Sequence, residues 1–220
     1  NTLFAMLSTT DQLPDSQNVV AYAPDFFSYG VLNGLIMAQA TDSDKISAVS
    51  GLAVKAVEDM LSGIIEAAKV VNPQAEFLYA FSGNWTDVPR AREVTESQIR
   101  QGADVVAGNA GNGTLGILDS VKSNKAKFVG YATDWAPDAP DSVLSSVLLG
   151  VDQWYAALAK DVEAKQVKPE IHIFGVDSFT VTPINPKLLS AERIAKINES
   201  IEQYTSGKLD IPVKHHQFKK

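Results

Sequence analysis

Short apolar runs and longer helical stretches alternate along this chain. Runs rich in Val, Ile and Phe, mostly closed by Gly, Ser, Asp or Asn, predict strands over 3–7, 19–22, 46–49, 77–81, 105–108, 128–131, 143–149 and 171–176. Between them, apolar positions at helical spacing predict helices over 26–39, 55–70, 88–101, 113–123 and 152–164, with a last amphipathic helix over 190–205 and Gly207 as its stop signal. Strand and helix alternating this often predict an α/β protein with doubly wound parallel sheets. The units in series from Ile46 to Tyr131 suffice for one complete lobe. Before Ile46 and after Ser142 there is strand for only part of a second sheet, and Pro137-Asp138-Ala139-Pro140 reads as the clearest linker. The expected organisation is therefore a remnant of a first lobe with a crossing over 1–41, a complete second lobe over 42–138, and a return crossing over 139–220 whose elements pack on the first lobe.

Composition narrows the classes of function. Apolar residues make up 45% of the 220, ample for a buried core. A net charge of −7 argues against a partner with a phosphate backbone, so no nucleic acid is expected. The basic tail of Lys214, His215, His216, Lys219 and Lys220 reads as a solvated chain end. The chain has no cysteine, which excludes disulfides, thiolate metal sites and cysteine nucleophiles. No apolar run is long enough to span a bilayer. The first residue is Asn1 rather than Met, which suggests a processed chain or a fragment that has lost a targeting sequence.

In open sheets of this kind ligands bind where the strands end at their carboxyl termini. That rule selects the loops 50–55, 82–88, 109–114 and 132–138. In the second, Trp85 offers a flat apolar face for a planar heterocycle, or folds back onto its own lobe; Asn84 stands beside it, and Asp87 reads as the cap of the next helix. In the third, the glycine-rich turn through Gly111 and Asn112 can present backbone N–H groups to a ligand oxygen, although a tight strand-to-helix turn explains it as well. It lacks the lysine of a Walker loop and the spacing of a dinucleotide fingerprint. In the fourth, Asp134 can accept hydrogen bonds from vicinal hydroxyls, or simply initiate a turn.

Catalytic arrangements are scarce. His172 lies inside a strand pattern and reads as a packed residue, and no nucleophile elbow or metal-ligand spacing occurs. No cofactor or metal is expected. The sequons at Asn84, Asn112 and Asn198 read as coincidental.

In order, these stretches resemble the basic membrane lipoprotein family of transporter substrate-binding proteins. The resemblance is carried by Tyr22-Ala23-Pro24-Asp25, Tyr29-Gly30-Val31-Leu32-Asn33-Gly34, Asn84-Trp85-Thr86-Asp87-Val88-Pro89-Arg90, Gln98-Ile99-Arg100-Gln101-Gly102-Ala103-Asp104 and Gly130-Tyr131-Ala132-Thr133-Asp134, closing with Ser206-Gly207-Lys208-Leu209-Asp210-Ile211-Pro212. It implies a type I periplasmic-binding-protein-like fold with ligand held between two α/β lobes. It also implies a non-enzymatic protein that captures a purine nucleoside for an ABC-type permease, on the outer face of the cell membrane and lipid-anchored or periplasmic. By the same resemblance Trp85 stacks on the base, while the Gly111 loop and Asp134 hold the ribose. Relatives carry about a hundred further residues before the point matching Asn1, so part of the first lobe, or a companion chain supplying it, is expected outside this sequence. Many relatives have a lysine in the last crossing where this chain has Asp177, which changes what the ligand meets there. A nucleoside- or sugar-processing enzyme, or a sensor signalling to a partner, is the alternative reading.

Overall fold

A computed structural model describes residues 2–7, 12–165 and 167–219. The chain forms two compact units, residues 1–25 with 149–180 and residues 26–148 with 181–220, and it passes between them three times.

The smaller unit carries a three-stranded sheet in the order β1 (Phe4–Leu7), β2 (Val19–Pro24), β8 (Ile171–Phe174), both pairings parallel. Helix α5 (Val151–Glu163) lays Trp154 against Val20 and Tyr22 of this sheet. His172 is a packed strand residue, as its pattern predicts: its ring stacks on Tyr22 at 4.7 Å. Asp161 of α5 accepts a hydrogen bond from the Tyr22 hydroxyl at 2.7 Å.

The larger unit is built on a six-stranded sheet in the order β4 (Glu76–Phe81), β3 (Lys45–Ser50), β5 (Val105–Asn109), β6 (Lys127–Ala132), β7 (Val143–Leu148), β9 (Thr180–Val181). The pairings of β3 with β4 and β5, of β5 with β6 and of β6 with β7 are all parallel. Helices α3 (Val88–Arg100) and α4 (Thr114–Asn124) cover one face, where Ala91, Ile117 and Val121 pack on Val106 and Phe128. Helix α1 (Phe26–Ala40) covers the other and is backed by α2 (Lys55–Val71). Helices thus lie on both faces of a parallel sheet, the architecture expected.

Helix α1 is apolar around its whole circumference, and every residue but Ser28 is buried. A helix with no polar face must be enclosed on all sides. Its partner α2 has one apolar stripe, Val57, Met60, Leu61, Ile64 and Ala67, at spacings of three and four. Small residues bring the two helices together. A Cβ on Gly30 would lie 2.0 Å from the Met60 carbonyl oxygen, and one on Gly63 2.1 Å from that of Phe27.

Three features differ from expectation. The compact units do not divide at 41/42 and 138/139: α1 and residues 181–220 belong with the large unit, because α1 buries its surface against the large sheet and α2. Pro137–Pro140 does not separate lobes. It joins β6 to β7 within one sheet, and Ala139 is packed in that unit's core. The basic tail is not a free end. After α6 (Ala191–Thr205), Ile211 joins the cluster of Phe27, Val31 and Ala67, and Phe218 meets the Tyr79 ring at 4.9 Å. His215 meets Asp59 at 2.7 Å and His216 meets Glu66 at 2.6 Å, so two carboxylates of α2 hold the tail's histidines in place. Lys220 lies outside the described residues.

Candidate functional site

Because β4, β3, β5 and β6 are parallel neighbours, the loops that follow them emerge side by side at one edge of the large sheet. The sequence places Trp85 after β4, Gly51 after β3, Gly111 after β5 and Asp134 after β6. The tertiary structure adds how tightly the first three interlock.

Trp85 lies across Gly51. A Cβ added to that glycine would sit 2.3 Å from the indole Cε3, so only glycine lets the ring settle against the backbone there. Gly111 has φ +56°, in the left-handed region, and a Cβ on it would stand 2.6 Å from the Trp85 carbonyl oxygen. That carbonyl also accepts from the Gly113 N–H at 3.3 Å. Trp85 is half-buried, so the indole is neither free in solvent nor enclosed in the core. Its loop is shaped by Asn84, whose side-chain oxygen accepts from the N–H groups of Thr86 at 2.8 Å and Asp87 at 2.7 Å. Asp87 caps α3 as its position predicts, accepting from the Arg90 N–H at 2.9 Å.

The Gly111 loop turns through a short 3-10 segment, Gly111–Gly113, into α4. Part of its donor capacity is already used: Ala110 N–H donates to the Thr114 hydroxyl at 3.3 Å, and Gly113 N–H donates to Ala110 as well as Trp85. Asn112 is exposed. Asp134 is exposed too, and one of its oxygens accepts from the Ala136 N–H at 3.0 Å in a local turn. The turn-forming reading of Asp134 and a ligand role for its other oxygen are compatible. The following Trp135 is partly buried against the core, packing edge-on on Phe128 and donating its indole N–H to the Tyr131 carbonyl at 3.1 Å.

Asp177 is carried by the other compact unit. It lies in a 3-10 turn, Val176–Ser178, of the smaller unit and is exposed. The large unit therefore gathers Trp85, Asn84, Gly111, Asn112 and Asp134 along one sheet edge, while Asp177 belongs to the other unit.

Three further residues of the same edge lie within the selected stretches but carry no individual role in the sequence pattern. Asn109 ends β5 and Ser50 ends β3, in register with each other, and Tyr131 precedes the last residue of β6. Burial pushes the Tyr131 phenol up to about 12. Behind it the Tyr29 hydroxyl of α1 donates to the Val147 carbonyl at 2.6 Å and accepts from the Ala132 N–H at 3.1 Å, tying α1 to the ends of two strands. Ala132 itself has φ +65°, a left-handed conformation that a non-glycine residue seldom adopts. Strand-end position was the signal available for Ser50 and Asn109; that their side chains find no hydrogen-bond partner among the described residues is a tertiary fact. Among the described residues, no group of three His, Cys, Asp or Glu side chains is placed to hold a metal ion.

The chain is similar to known proteins in both sequence and fold. Among curated relatives, the Transcriptional activator protein med of Bacillus subtilis is 24% identical over 153 residues, covering 69% of this chain and 47% of that protein. Basic membrane protein D of Borreliella burgdorferi is 25% identical over 131 residues, covering 59% and 38%. The chain thus spans less than half the length of these curated relatives. An ABC transporter solute-binding protein from Aeropyrum pernix superposes with a TM-score of 0.78 at 18% identity, over 97% of this chain and 72% of that one, and shows the type I periplasmic-binding fold. The profile of one family, described as ABC transporter substrate-binding protein PnrA-like, matches residues 2–215. The chain belongs to this Bmp family of ABC transporter substrate-binding proteins.

Proposed function

We propose that the protein containing this chain captures a purine nucleoside or a related small solute, without transforming it, and presents it to an ABC-type permease at the outer face of the cell membrane. The observation that carries this reading is Trp85, half-exposed and held flat on Gly51 at the carboxyl edge of the sheet. With one face on the backbone, the other is left for a planar base. Stacking of this kind is tolerant of substituents, and hydrogen bonds then set orientation. The second oxygen of Asp134 and the Gly111–Asn112 turn supply those bonds to the ribose, while Asn84 shapes the loop that carries the indole. Stacking combined with such bonds, away from water, corresponds to micromolar affinity, on the order of −8 kcal/mol. Asp177 enters this reading through the family resemblance alone; Asp177→Asn is its separate test, expected to alter the preference among nucleosides.

Calorimetry with adenosine, guanosine and inosine on the complete protein tests the assignment. Trp85→Ala is expected to weaken nucleosides and free bases alike, by about tenfold or more. Asp134→Ala is expected to weaken nucleosides while leaving free bases unchanged. Unaltered binding in both variants would remove Trp85 and Asp134 from the site.

A second reading is favoured by one relative, which is named a transcriptional activator. The same ligand-binding module would then report a solute to a signalling partner. Deleting the gene separates the two: loss of labelled nucleoside uptake supports import, whereas intact uptake with altered transcript levels supports sensing. Among the described residues no helix is long and apolar enough to cross a membrane.

A further inference from the structure

Three polar residues at the carboxyl edge of the large sheet share one row and one face. Ser50 of β3 is in register with Asn109 of β5, and Ala107 of β5 with Val129 of β6. Side chains in register on parallel neighbours project to the same face, and the period of two carries this to Tyr131, two residues beyond Val129. The face is the one α1 covers, since the Tyr131 ring meets Tyr29 edge-on at 5.2 Å. Row and face together place Asn109 between Ser50 on one side and Tyr131 on the other.

Two of these groups, Asn109 and Ser50, are buried and short of side-chain partners. Asn109 is only 9% exposed, and its side-chain amide makes no hydrogen bond among the described residues. Ser50 is fully buried, and its hydroxyl likewise finds no partner among them. A buried amide has two donors and an acceptor to satisfy, and folded proteins leave few such groups unmatched. Asn109 lies directly before the Gly111 turn and one strand from the Gly51 that supports Trp85; the Gly51 N–H donates to its main-chain carbonyl at 3.0 Å. The surroundings are poor in cations. Lys55 is the one basic residue in loops 50–55, 82–88, 109–114 and 132–138, and it is tied to Asp59 at 2.5 Å; Asp87, Asp134 and Asp138 are the acids.

We infer that Asn109, flanked by Ser50 and Tyr131, is a specificity-determining residue that reads an uncharged hydroxyl of the ligand, and that this row selects nucleosides over their phosphates. The inference rests on the nucleoside reading given above. Amide, alcohol and phenol can each exchange hydrogen bonds with a sugar hydroxyl, which both donates and accepts. A phosphate brings two negative charges to an edge with no unpaired cation in its loops and several carboxylates.

The test uses the complete protein, with guanosine and guanosine 5′-monophosphate as probes. Asn109→Leu keeps the branched outline of the side chain, at a larger volume, and removes its hydrogen-bonding groups; Tyr131→Phe removes one hydroxyl. Wild type is expected to bind guanosine at least tenfold more tightly than the monophosphate. Asn109→Leu should weaken guanosine by about tenfold while the ligand-free melting temperature holds or rises, because the amide it removes makes no hydrogen bond among the described residues. Tyr131→Phe should weaken guanosine by a smaller factor. Unchanged guanosine affinity in Asn109→Leu, or equal binding of the two probes by wild type, would overturn the inference. So would a fall of several degrees in the ligand-free melting temperature of Asn109→Leu, which marks a structural asparagine. If wild type binds no nucleoside, the nucleoside reading falls separately. The melting temperature then decides for the row by itself: unchanged or raised supports it, lowered overturns it.

Discussion

Trp85 owes its position to two glycines that are distant from it in sequence. Gly51 provides the bare backbone on which the indole lies, and Gly111 lets the β5 loop pass beneath the Trp85 carbonyl in a left-handed turn. The two should fail differently when given a side chain. In Gly51→Ala the new methyl meets a ring, which can rotate away, so ligand affinity should fall with little loss of stability. In Gly111→Ala the methyl meets main-chain oxygen in a conformation already costly for L-residues, and the fold should lose about 1–3 kcal/mol. Denaturant midpoints and calorimetry on the two variants separate these outcomes; equal stability losses would mean that the indole is clamped as rigidly as the backbone.

At the scale of elements, contact between α1 and α2 depends on glycine as well. Gly30 and Gly34 on α1 and Gly63 on α2 bring backbone close to backbone, and an added Cβ at any of them would fall within 2.6 Å of a main-chain oxygen. No rotamer change relieves such a clash; a helix must move. Gly63→Ala is therefore expected to cost about 3 kcal/mol or more despite its better helix propensity, lowering the melting temperature by roughly 6–12 °C in a domain of this size. A thermal melt showing a gain in stability, the ordinary result of Gly→Ala in a helix, would sink this account. The same logic holds on the other face, where a Cβ on Gly116 of α4 would stand 2.1 Å from the Val88 carbonyl oxygen of α3.

For the molecule as a whole, carboxylates fasten segments that are remote in sequence. Asp42, just after α1, pairs with Lys127 of β6 and Arg193 of α6, and Arg193 also donates to the carbonyls of Gln39 and Thr41. Hydrogen bonding from Lys127 is the largest influence on the Asp42 carboxyl, and with Arg193 it holds the group below its ordinary value despite some burial. Burial would raise Glu66, but Lys69 and His216 together keep it below its ordinary value. Both carboxyls are thus depressed in the folded state. Their stabilisation is fully present above the unfolded carboxylate range, near about 4, and is lost as pH falls through the lower folded values. Urea midpoints should stay level from neutral pH down to about 5 and decline below about 4. Glu66→Gln should make the decline shallower, since one titrating fastener is gone; an unchanged acid slope would mean that Glu66 contributes nothing to it.

Local pattern by itself determined the elements of this protein. Apolar spacing and turn residues located the strands and helices to within a few positions, and the Asp87 cap was legible because capping is decided within four residues. Strand-end position marked the loops of Trp85, Gly111 and Asp134 for the same local reason. What depends on distant partners was not legible. Nothing in Phe26–Ala40 says which sheet an all-apolar helix will join, and Pro137–Pro140 looks like a linker until Ala139 is found in the core. The tail reads as solvated charge until Asp59 and Glu66, from a helix some 150 residues earlier, are seen opposite its histidines. The row of Ser50, Asn109 and Tyr131 was hidden for the same reason. Strand endings are written in the sequence, but register across the sheet, which sets Ser50 beside Asn109 and brings Tyr131 to the same face, exists only once non-local strands have paired.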